Sequence, residues 1–311
     1  TTPDVSTTNG VSVFVADKKA SKETTITISA AGDCTLGIDS RIHHTFDSYY
    51  TKNGNAYFLK KVKPVFSKDD ITIVNFEGTL TTSTNRANKA FTFKGPKKYV
   101  GILKKGSVEV VTLANNHSMD FGRKGLADTQ KTLKKNKIAY CYNSTIAYKK
   151  VKGIKIAFIG FSQLEGTTAS QVTKAIKKAK KKRAKIIITS FHWGIEREYY
   201  PNSKQKSLAH SAINAGASLV LGHHPQGIER YKGRYIVYSL GNFCFGGNTN
   251  PKDKDTMIFQ QTFHIKDGKV LSKKDARVIA CSLSGSSACN DYQPRILKDS
   301  SKKRVIKKLN T

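Results

Sequence analysis

The chain has 311 residues, of which 38% are hydrophobic, and this length allows a sizeable core in one large or two small domains. Its formal net charge is +32, from 54 Lys and Arg against 22 Asp and Glu, which favours attraction to polyanions or, more simply, a basic solvated surface. No apolar run is long enough to span a bilayer, five cysteines do not make a disulfide scaffold, and zinc-finger, RRM and basic-zipper signatures are missing, so nucleic acid is not favoured as a partner.

The first 22 residues are polar and rich in Thr, Ser and Lys, which predicts a disordered tether before a single domain over residues 23–311. The chain begins TTPDVSTTNG, with neither Met nor an apolar signal region. We interpret it as a mature or trimmed chain, from which a signal peptide or lipid anchor could have been removed. The expected location is therefore extracellular or at the cell surface, with anchoring through the removed or truncated N-terminal segment.

Strand and helix patterns alternate along the middle of the chain, which predicts an α/β layered fold. Gly106 and Gly216 follow helical patterns, where C-terminal stops belong. The predicted strands cover residues 24–30, 73–76, 108–113, 154–161, 185–191, 217–222 and 234–241, and the predicted helices cover 57–66, 97–106, 125–137, 170–185 and 206–216.

Residues 256–283 break this rhythm. They alternate like strands on either side of KDGK (266–269), which predicts a hairpin and therefore a mixed sheet. Cys281 and Cys289 flank SLSGSSA and could pair if the protein is exported.

Ligand-type side chains follow the predicted strands. Because ligands bind at the carboxyl ends of strands in an α/β sheet, we expect these side chains to converge if the strands are parallel neighbours. They are Asp33, Asn75, Glu77, Asn116, His117, His192, His223, His224 and Gln226.

Each of these residues also has a simpler interpretation. Asp33 could cap a turn, Glu77 could be a solvated loop acid, and His192 beside Trp193 could be a satisfied, half-buried histidine. For Asn115 we favour a turn-forming role. Five strand ends carrying such residues together favour a metal site.

A set of carboxylates, amides and imidazoles suits divalent Mn, Zn or Fe. Two such ions in one site form a hydrolytic clamp that activates water and stabilises a leaving oxygen. The histidines at 43, 44, 210 and 264 lack this context and are interpreted as surface or core residues.

At these residues the sequence resembles the CapA-type poly-γ-glutamate capsule synthesis proteins, within the calcineurin-like metallophosphoesterase superfamily. The resemblance covers roughly residues 26–247 and implies a four-layer αββα sandwich of two mixed sheets. The pieces that carry it are AGDCTLG (31–37), VNFEGTLT (74–81), LANNHSMDFG (113–122), FHWGIE (191–196), AINAGASLVLGHHPQGIE (212–229) and YSLGNFCF (238–245).

The resemblance implies roles for individual positions. Asp33 corresponds to the first carboxylate ligand, Glu77 to the bridging carboxylate, and Asn116 to the amide ligand of the second metal. His192 and His223 correspond to further ligands of that metal. His117 resembles the histidine that contacts the substrate, so the implied catalytic residues are His117, Asn116 and Asp33.

Two departures fall on the first metal site. Asp33-Cys34-Thr35 stands where the superfamily has Asp-x-His, and Gln226 stands where the CapA pattern ends in His. We therefore expect one firm metal site and one weak or vacant site. His224, Gln226, Cys34 and Asn75 are candidate additional ligands.

The sequence supports two functions. The first is an exported, metal-dependent hydrolase that cleaves a phosphoester or amide bond in an anionic envelope polymer, such as poly-γ-glutamate or a wall polymer. The second is a non-catalytic polyanion-binding protein of capsule assembly or export with a degenerate metal site. Membrane-bound capsule machinery is the expected protein partner in either case. An ordinary cytosolic phosphoesterase is disfavoured by the tether-like N-terminus and the basic charge.

Overall fold

The computed structural model of the protein describes residues 23–194, 200–223, 227–273 and 275–309. The predicted tether, residues 1–22, lies outside these ranges. The strands are β1 (Thr24–Thr35), β2 (Ile71–Phe76), β3 (Thr79–Leu80), β4 (Lys94–Gly95), β5 (Val110–Thr112), β6 (Ala139–Cys141), β7 (Ala147–Val151), β8 (Ile154–Ser162), β9 (Ile186–His192), β10 (Leu219–His223), β11 (Ile228–Tyr231), β12 (Arg234–Val237), β13 (Asn242–Phe245), β14 (Asp255–Lys266), β15 (Lys269–Val270), β16 (Asp275–Ser282) and β17 (Arg295–Ile296). The helices are α1 (Thr45–Asn53), α2 (Lys63–Phe66), α3 (Val100–Lys105), α4 (Gly122–Lys135), α5 (Ala169–Lys181), α6 (Ser203–Ala215) and α7 (Asp299–Leu309).

Two mixed sheets form the centre of the protein. The first has the order β17-β16-β14-β1-β2-β5-β6, with β13 beside β1 and β15 beside β14. The second has the order β11-β12-β10-β9-β8-β7. Strands such as ITIVNF in β2 and IIITSFH in β9 are buried along their whole length, as is typical of parallel strands covered on both faces.

Three hydrophobic clusters define four layers. The cluster between the two sheets joins Ile28 and Ile73 of the first sheet to Phe158 and Ile188 of the second. A second cluster packs helices α1 to α4 on the outer face of the first sheet, and a third packs α5 and α6 on the outer face of the second. The predicted αββα sandwich is thereby confirmed.

Local signals place the helix ends. Thr168 and Asn202 begin α5 and α6 with reciprocal capping boxes, and Gly216 ends α6 in the left-handed conformation at a φ of 115°. The hairpin predicted at 266–269 is present between β14 and β15. The helix predicted over 57–66 was too long, because α2 begins only beside Pro64, whose fixed φ and missing N–H suit a helix start.

The strands have two functionally different ends. In the first sheet β1, β2, β5 and β6 run parallel, and in the second β8, β9, β10 and β12 run parallel. Lys152 of the β7–β8 turn donates to the Thr25 carbonyl oxygen at 2.8 Å, so the strand starts of both sheets lie at one edge, the amino-end edge. The strand ends of both sheets meet at the opposite, carboxyl-end edge. No helix within the described ranges is long and apolar enough to cross a membrane.

Candidate metal centre

The carboxyl-end edge gathers the predicted site residues from both sheets. Asp33 lies near the end of β1, Asn75 near the end of β2, and Glu77 directly after β2. The last residues of β9 and β10 are His192 and His223. These five side chains are all buried, with 1–6% of their surface exposed. The predicted convergence is therefore seen in the structure.

Asp33 and His223 bring the two sheets together. His223 Nδ1 lies 2.7 Å from Asp33 Oδ1, although the contact lacks hydrogen-bond geometry. Asn75 Nδ2 donates to the same carboxylate oxygen at 2.8 Å and lies 3.4 Å from His192 Nδ1. The rings of His192 and His223 stack with their centroids 5.9 Å apart. Asn75 thus orders both a carboxylate and an imidazole.

Glu77 is a buried carboxylate held by neutral or weakly basic groups. Thr35 Oγ1 donates to Glu77 Oε2 at 2.9 Å, and His192 Nε2 lies 3.9 Å from Oε1. Loss of hydration on burial, with the nearby negative charge of Asp33, raises the pKa of Glu77 to about 7. No Lys or Arg in the described ranges forms an ion pair with it. Burial of such a carboxylate is costly unless a cation or a proton compensates it.

Asn115 forms the turn that presents its two neighbours. Its Oδ1 accepts from the His117 backbone N–H at 3.0 Å, which is an Asx turn. Its Nδ2 donates to Asn75 Oδ1 at 2.9 Å and to the Phe76 carbonyl oxygen at 2.8 Å. The turn-forming role predicted for Asn115 is confirmed, and the same turn places Asn116 and His117 at the site.

The amide oxygen of Asn116 is buried, and no described residue donates a hydrogen bond to it. A buried acceptor left without a donor is unfavourable by about 1–3 kcal/mol, so such atoms usually have a ligand, ion or water as partner. The backbone carbonyl of Asn116 is meanwhile fixed by Lys89 Nζ at 2.6 Å. The backbone is thus anchored while the amide oxygen remains available.

His117 is oriented by a residue to which sequence reasoning assigned no role. Its Nδ1 lies 2.7 Å from Asp120 Oδ2, and the Asp120 carboxylate also accepts from the Phe93 backbone N–H and from Lys89 Nζ, each at 2.7 Å. Because an ionised carboxylate only accepts, Nδ1 of His117 carries the proton and Nε2 is the nitrogen left for a ligand. The signal was present in LANNHSMDFG, where Asp120 follows His117 at a spacing that one helical turn brings together.

Gly32 allows the backbone before Asp33 to approach a neighbouring loop. A Cβ at Gly32 would lie 1.7 Å from the Gly241 carbonyl oxygen, which instead accepts from the Asp33 backbone N–H at 2.9 Å. Only a glycine fits at this position.

A cavity of about 460 Å³ adjoins the site. Asp33, Glu77 and His117 line one part of it, with Phe91 and Phe93 beside them. Its far wall is formed by the start of β14 and by α7, where Lys308 Nζ lies 2.6 Å from Asp255 Oδ2. This space can admit a small polar group or one segment of a chain.

The carboxylate, imidazole and amide groups at this edge are of the chemical types that bind divalent metals. In the structure, however, these side chains contact one another in pairs and do not surround a common point. Within the described ranges, no three His, Cys, Asp and Glu side chains are arranged to hold one ion. Three observations favour the fit: the unpaired amide oxygen of Asn116, the buried Glu77 carboxylate, and the close Asp33–His223 contact without hydrogen-bond geometry. Four of the predicted ligands, Asp33, Glu77, His192 and His223, therefore lie buried at one edge without forming a three-residue metal-binding group among the described side chains.

Of the remaining candidate ligands, Cys34 belongs to a hydrophobic cluster and not to the site. Cys34 packs in the hydrophobic cluster under the helices of the first sheet, where burial raises the pKa of its thiol to about 12. His224 and Gln226 lie outside the described residues. Cys281 and Cys289 are both free thiols, the first buried in β16 and the second exposed, so the pairing considered from sequence is not present.

The other histidines make contacts of their own. His210 Nε2 lies 2.8 Å from Glu229 Oε1, and His264 Nε2 lies 3.1 Å from Asp275 Oδ2. These ion-pair contacts lie away from the residues of the candidate centre, as expected for surface histidines.

Comparison with known proteins identifies the family. Residues 27–247 match the family described as bacterial capsule synthesis protein PGA_cap. The PGA biosynthesis protein CapA of Bacillus subtilis (strain 168) is 32% identical over 241 residues, which cover 69% of this chain and 63% of that protein. The capsule biosynthesis protein CapA of Bacillus anthracis is 29% identical over 285 residues, 81% of this chain and 67% of that protein. The chain thus spans about two thirds of the length of these relatives.

A solved structure agrees on the fold. The crystal structure of a hypothetical protein from Thermus thermophilus superposes with a TM-score of 0.51 at 14% identity, covering 82% of this chain and 99% of that one. Likeness at this level of identity concerns the fold alone. On the strength of the family match and of the Bacillus relatives, the chain belongs to the bacterial capsule synthesis protein family PGA_cap.

Proposed function

We propose that this protein is an exported, metal-dependent hydrolase that cleaves a phosphoester or amide bond in an anionic polymer of the cell envelope, such as poly-γ-glutamate. The observation that carries the proposal is the meeting of two carboxylates, two imidazoles and an unpaired amide oxygen from both sheets at one edge. That donor mixture suits Mn, Zn or Fe.

The proposed metal sites are unequal. Glu77, Asn116, His192 and His223 would hold one ion firmly, and Asp33 with Glu77 would hold a second ion weakly or not at all. Thr35 stands where the superfamily pattern has histidine, and its hydroxyl is bonded to Glu77. A divalent ion bound here supplies Lewis-acid polarisation of the bond to be cleaved.

His117 is the proposed proton donor to the leaving atom. Asp120, itself held by Lys89, fixes the ring through Nδ1–H, so the imidazolium form of His117 would donate its second proton from Nε2 to a substrate in the cavity. Asp33 and Asn116 complete the proposed catalytic set by positioning the reacting groups. Phe93 packs on the His117 ring with centroids 4.5 Å apart and limits its rotation.

An anionic polymer is the proposed substrate class because of the +32 charge and of the relatives, whose names refer to PGA and capsule biosynthesis. A capsule is an extracellular layer, which supports export, a cell-surface location and membrane-bound capsule machinery as a partner. Metal binding, catalysis and export are likewise proposed for this chain.

Metal content per chain tests the centre independently of any substrate. We expect elemental analysis of protein purified without chelator to find one firmly held ion per chain. The ion should be lost in His192→Ala and retained in His210→Ala, a matched histidine that pairs with Glu229 outside the site. Equal metal content in the two variants would contradict the proposed ligand set.

Hydrolysis tests the proton donor once metal is bound. His117→Ala should keep the metal and lose about 10²–10⁴-fold in rate on phosphoester or γ-glutamyl amide substrates. Unchanged activity in both His117→Ala and His192→Ala would exclude this centre as the site of reaction.

A non-catalytic polyanion-binding protein of capsule assembly or export, with a degenerate metal site, is the second candidate. The Thr35–Glu77 hydrogen bond favours it, because a carboxylate oxygen that accepts from a hydroxyl has one lone pair fewer for a metal. On this alternative the chain stays metal-free after reconstitution with Mn, Zn or Fe, yet binds poly-γ-glutamate with an affinity that falls as salt rises.

A further inference from the structure

One stretch of the chain is almost free of negative charge. Residues 129–194 contain sixteen Lys and Arg and a single acidic residue, Glu165. All of the sixteen except Lys149 are exposed. Fifteen of them are lysines, and only Arg183 carries a guanidinium. Such a segment exceeds the positive charge that an interspersed, solvated surface would show.

The fold collects these cations at one place. Helix α4 ends just before β6 begins, α5 ends just before β9 begins, and β7 turns into β8 at Lys152, so all three junctions lie at the amino-end edge. β6 of the first sheet packs beside β7 and β8 of the second, which makes the three junctions neighbours. We call their basic residues the lysine patch: Lys131, Lys134, Lys135, Lys137, Lys150, Lys152, Lys155, Lys177, Lys178, Lys180, Lys181, Lys182, Arg183 and Lys185.

The cations of the lysine patch are largely without partners of opposite charge. Lys152 pairs with Asp70 at 2.9 Å, but within the described ranges the patch makes no other ion pair. Lys155 Nζ donates to the Lys182 carbonyl oxygen at 3.0 Å, which draws two cations together. Favourable interaction with helix dipoles accounts for lysines in the last turns of α4 and α5, but not for those of the β7–β8 turn.

The lysine patch also differs from the rest of the surface in lacking apolar groups. None of the exposed large hydrophobic residues of the described ranges belongs to the patch: Ile42, Leu164 and Tyr200 follow strands at the carboxyl-end edge, Phe91 lines the cavity there, and Ile296 lies in β17. No patch residue lines the cavity beside the candidate centre or a second cavity next to Asp39 and Arg86. The patch is therefore suited to a broad anionic surface and not to a small ligand.

We propose that the lysine patch docks the protein on an anionic membrane surface through lipid phosphate groups, with the candidate metal centre facing away. Flexible ammonium groups without fixed hydrogen-bonding forks suit a diffuse layer of charge. A polymer held at the patch would lie about the length of β9, roughly 20 Å, from the reactive edge. A membrane at the amino-end edge leaves that reactive edge open.

Vesicle binding tests the proposal on the full chain. The patch variant carries Lys177→Gln, Lys178→Gln, Lys181→Gln and Lys182→Gln. The control variant carries Lys298→Gln, Lys302→Gln, Lys303→Gln and Lys307→Gln, four exposed lysines at and before α7, with the same change in net charge. Each protein is sedimented with phosphatidylcholine vesicles, with or without phosphatidylglycerol, over a range of salt, and its folding is checked by thermal unfolding.

We expect binding only to the phosphatidylglycerol vesicles, weakened by salt, and about tenfold or more weaker for the patch variant than for the control variant. If vesicle binding is weakened equally in the two variants, net charge alone explains it and the proposal is overturned. The proposal is also overturned if the unmodified protein does not bind the vesicles. Soluble poly-γ-glutamate is measured alongside. If the patch variant loses the polymer but binds vesicles like the control variant, the patch serves a polymer and the membrane proposal is wrong.

Discussion

The two edges of the same pair of sheets have opposite character. At the carboxyl-end edge, polar side chains are buried and contact one another within and across the sheets, as Asn75 contacts Asp33 and His192. At the amino-end edge, long cationic side chains extend into solvent. Backbone conformation differs in the same way: at the amino-end edge Lys137, Lys152 and Arg183 adopt positive φ besides Gly153, whereas beside the candidate centre it is Gly78, Gly194 and Gly241 that do so.

The two edges differ in the substitutions that the fold tolerates at positive-φ positions. A Cβ with positive φ costs about 1 kcal/mol or more, and it is accepted where solvent receives the side chain. Where two chain segments approach closely, side chains are excluded and glycine remains. The amino-end edge therefore accepts many residue types because its side chains extend into solvent. The carboxyl-end edge holds its polar side chains in contact because its chain segments pack closely.

The largest loss of stability is expected from a substitution that disrupts the close packing at the carboxyl-end edge. Gly32→Ala should destabilise the fold by more than about 3 kcal/mol, because its Cβ would overlap the Gly241 carbonyl oxygen and neither backbone can yield easily. Gly153→Ala in the β7–β8 turn meets no atom within 4 Å and should cost only about 1 kcal/mol, from its φ of 82°. Urea unfolding of both variants measures the contrast, and similar losses would contradict it.

Two asparagine substitutions, one at each edge, are expected to differ in their effect on stability. Asn115→Ala removes a buried side chain bonded to Asn75, Phe76 and His117, and should cost about 2–3 kcal/mol. Asn136→Ala removes one partly buried bond to the Thr132 carbonyl at the end of α4 and should cost about 0.5–1 kcal/mol. The free energies of unfolding of the two variants test this expectation. A larger loss for Asn136→Ala than for Asn115→Ala would contradict it.

The smallest expected effect is a pair of opposite pH dependences. Burial raises the pKa of Asp69, just before β2, to about 6. The folded state then holds a proton that the unfolded state releases near pH 4, so stability falls as pH rises from about 4 to about 6. Relative to Asp69→Asn, the unmodified protein should lose about 1 kcal/mol over that range, a figure reduced for solvent screening of the partly exposed carboxyl.

Asp128 on α4 should show the reverse sign. A hydrogen bond from Thr81, with Lys124 and Lys97 nearby, lowers the pKa of Asp128 to about 2. Its contribution is present above about pH 4 and lost as pH falls through about 2. Relative to Asp128→Asn, the unmodified protein should lose about 1 kcal/mol on that descent, a figure reduced for solvent screening. Unfolding curves between pH 2 and pH 7 would contradict both assignments if the two variants behaved alike.

Much of this arrangement could be predicted because it depends on local pattern. Alternating apolar strands and amphipathic helices indicated the layers, and polar residues after the strands indicated the convergence of Asp33, Glu77 and His192. Parallel neighbours meet at one edge whatever their distance in sequence, which accounts for Asp33 and Glu77 in the first sheet. His192 joins them from the second sheet because the two sheets stack with their strand ends at the same edge.

The rest depends on contacts that no local pattern encodes. The bond from Thr35 to Glu77 joins residues on neighbouring strands whose register shifts beside Asp33. The Lys89–Asp120 ion pair depends on the path of a long loop. The lysines were visible as composition, but their gathering at one edge required the order of the strands in both sheets.

The position of β1 has a consequence for how the protein is made. This strand lies between β2 and β14, and the hydroxyls of Thr27 and Thr262, 235 residues apart, approach to 2.9 Å. Pairing over such a separation is slow to form, and the edge of β1 that faces β14 stays unpaired until the C-terminal part of the chain has joined the sheet. An unpaired strand edge is a template for aggregation. A chain that lacks β14 is therefore expected to aggregate, and Asp33 meets His223 only after both sheets have formed.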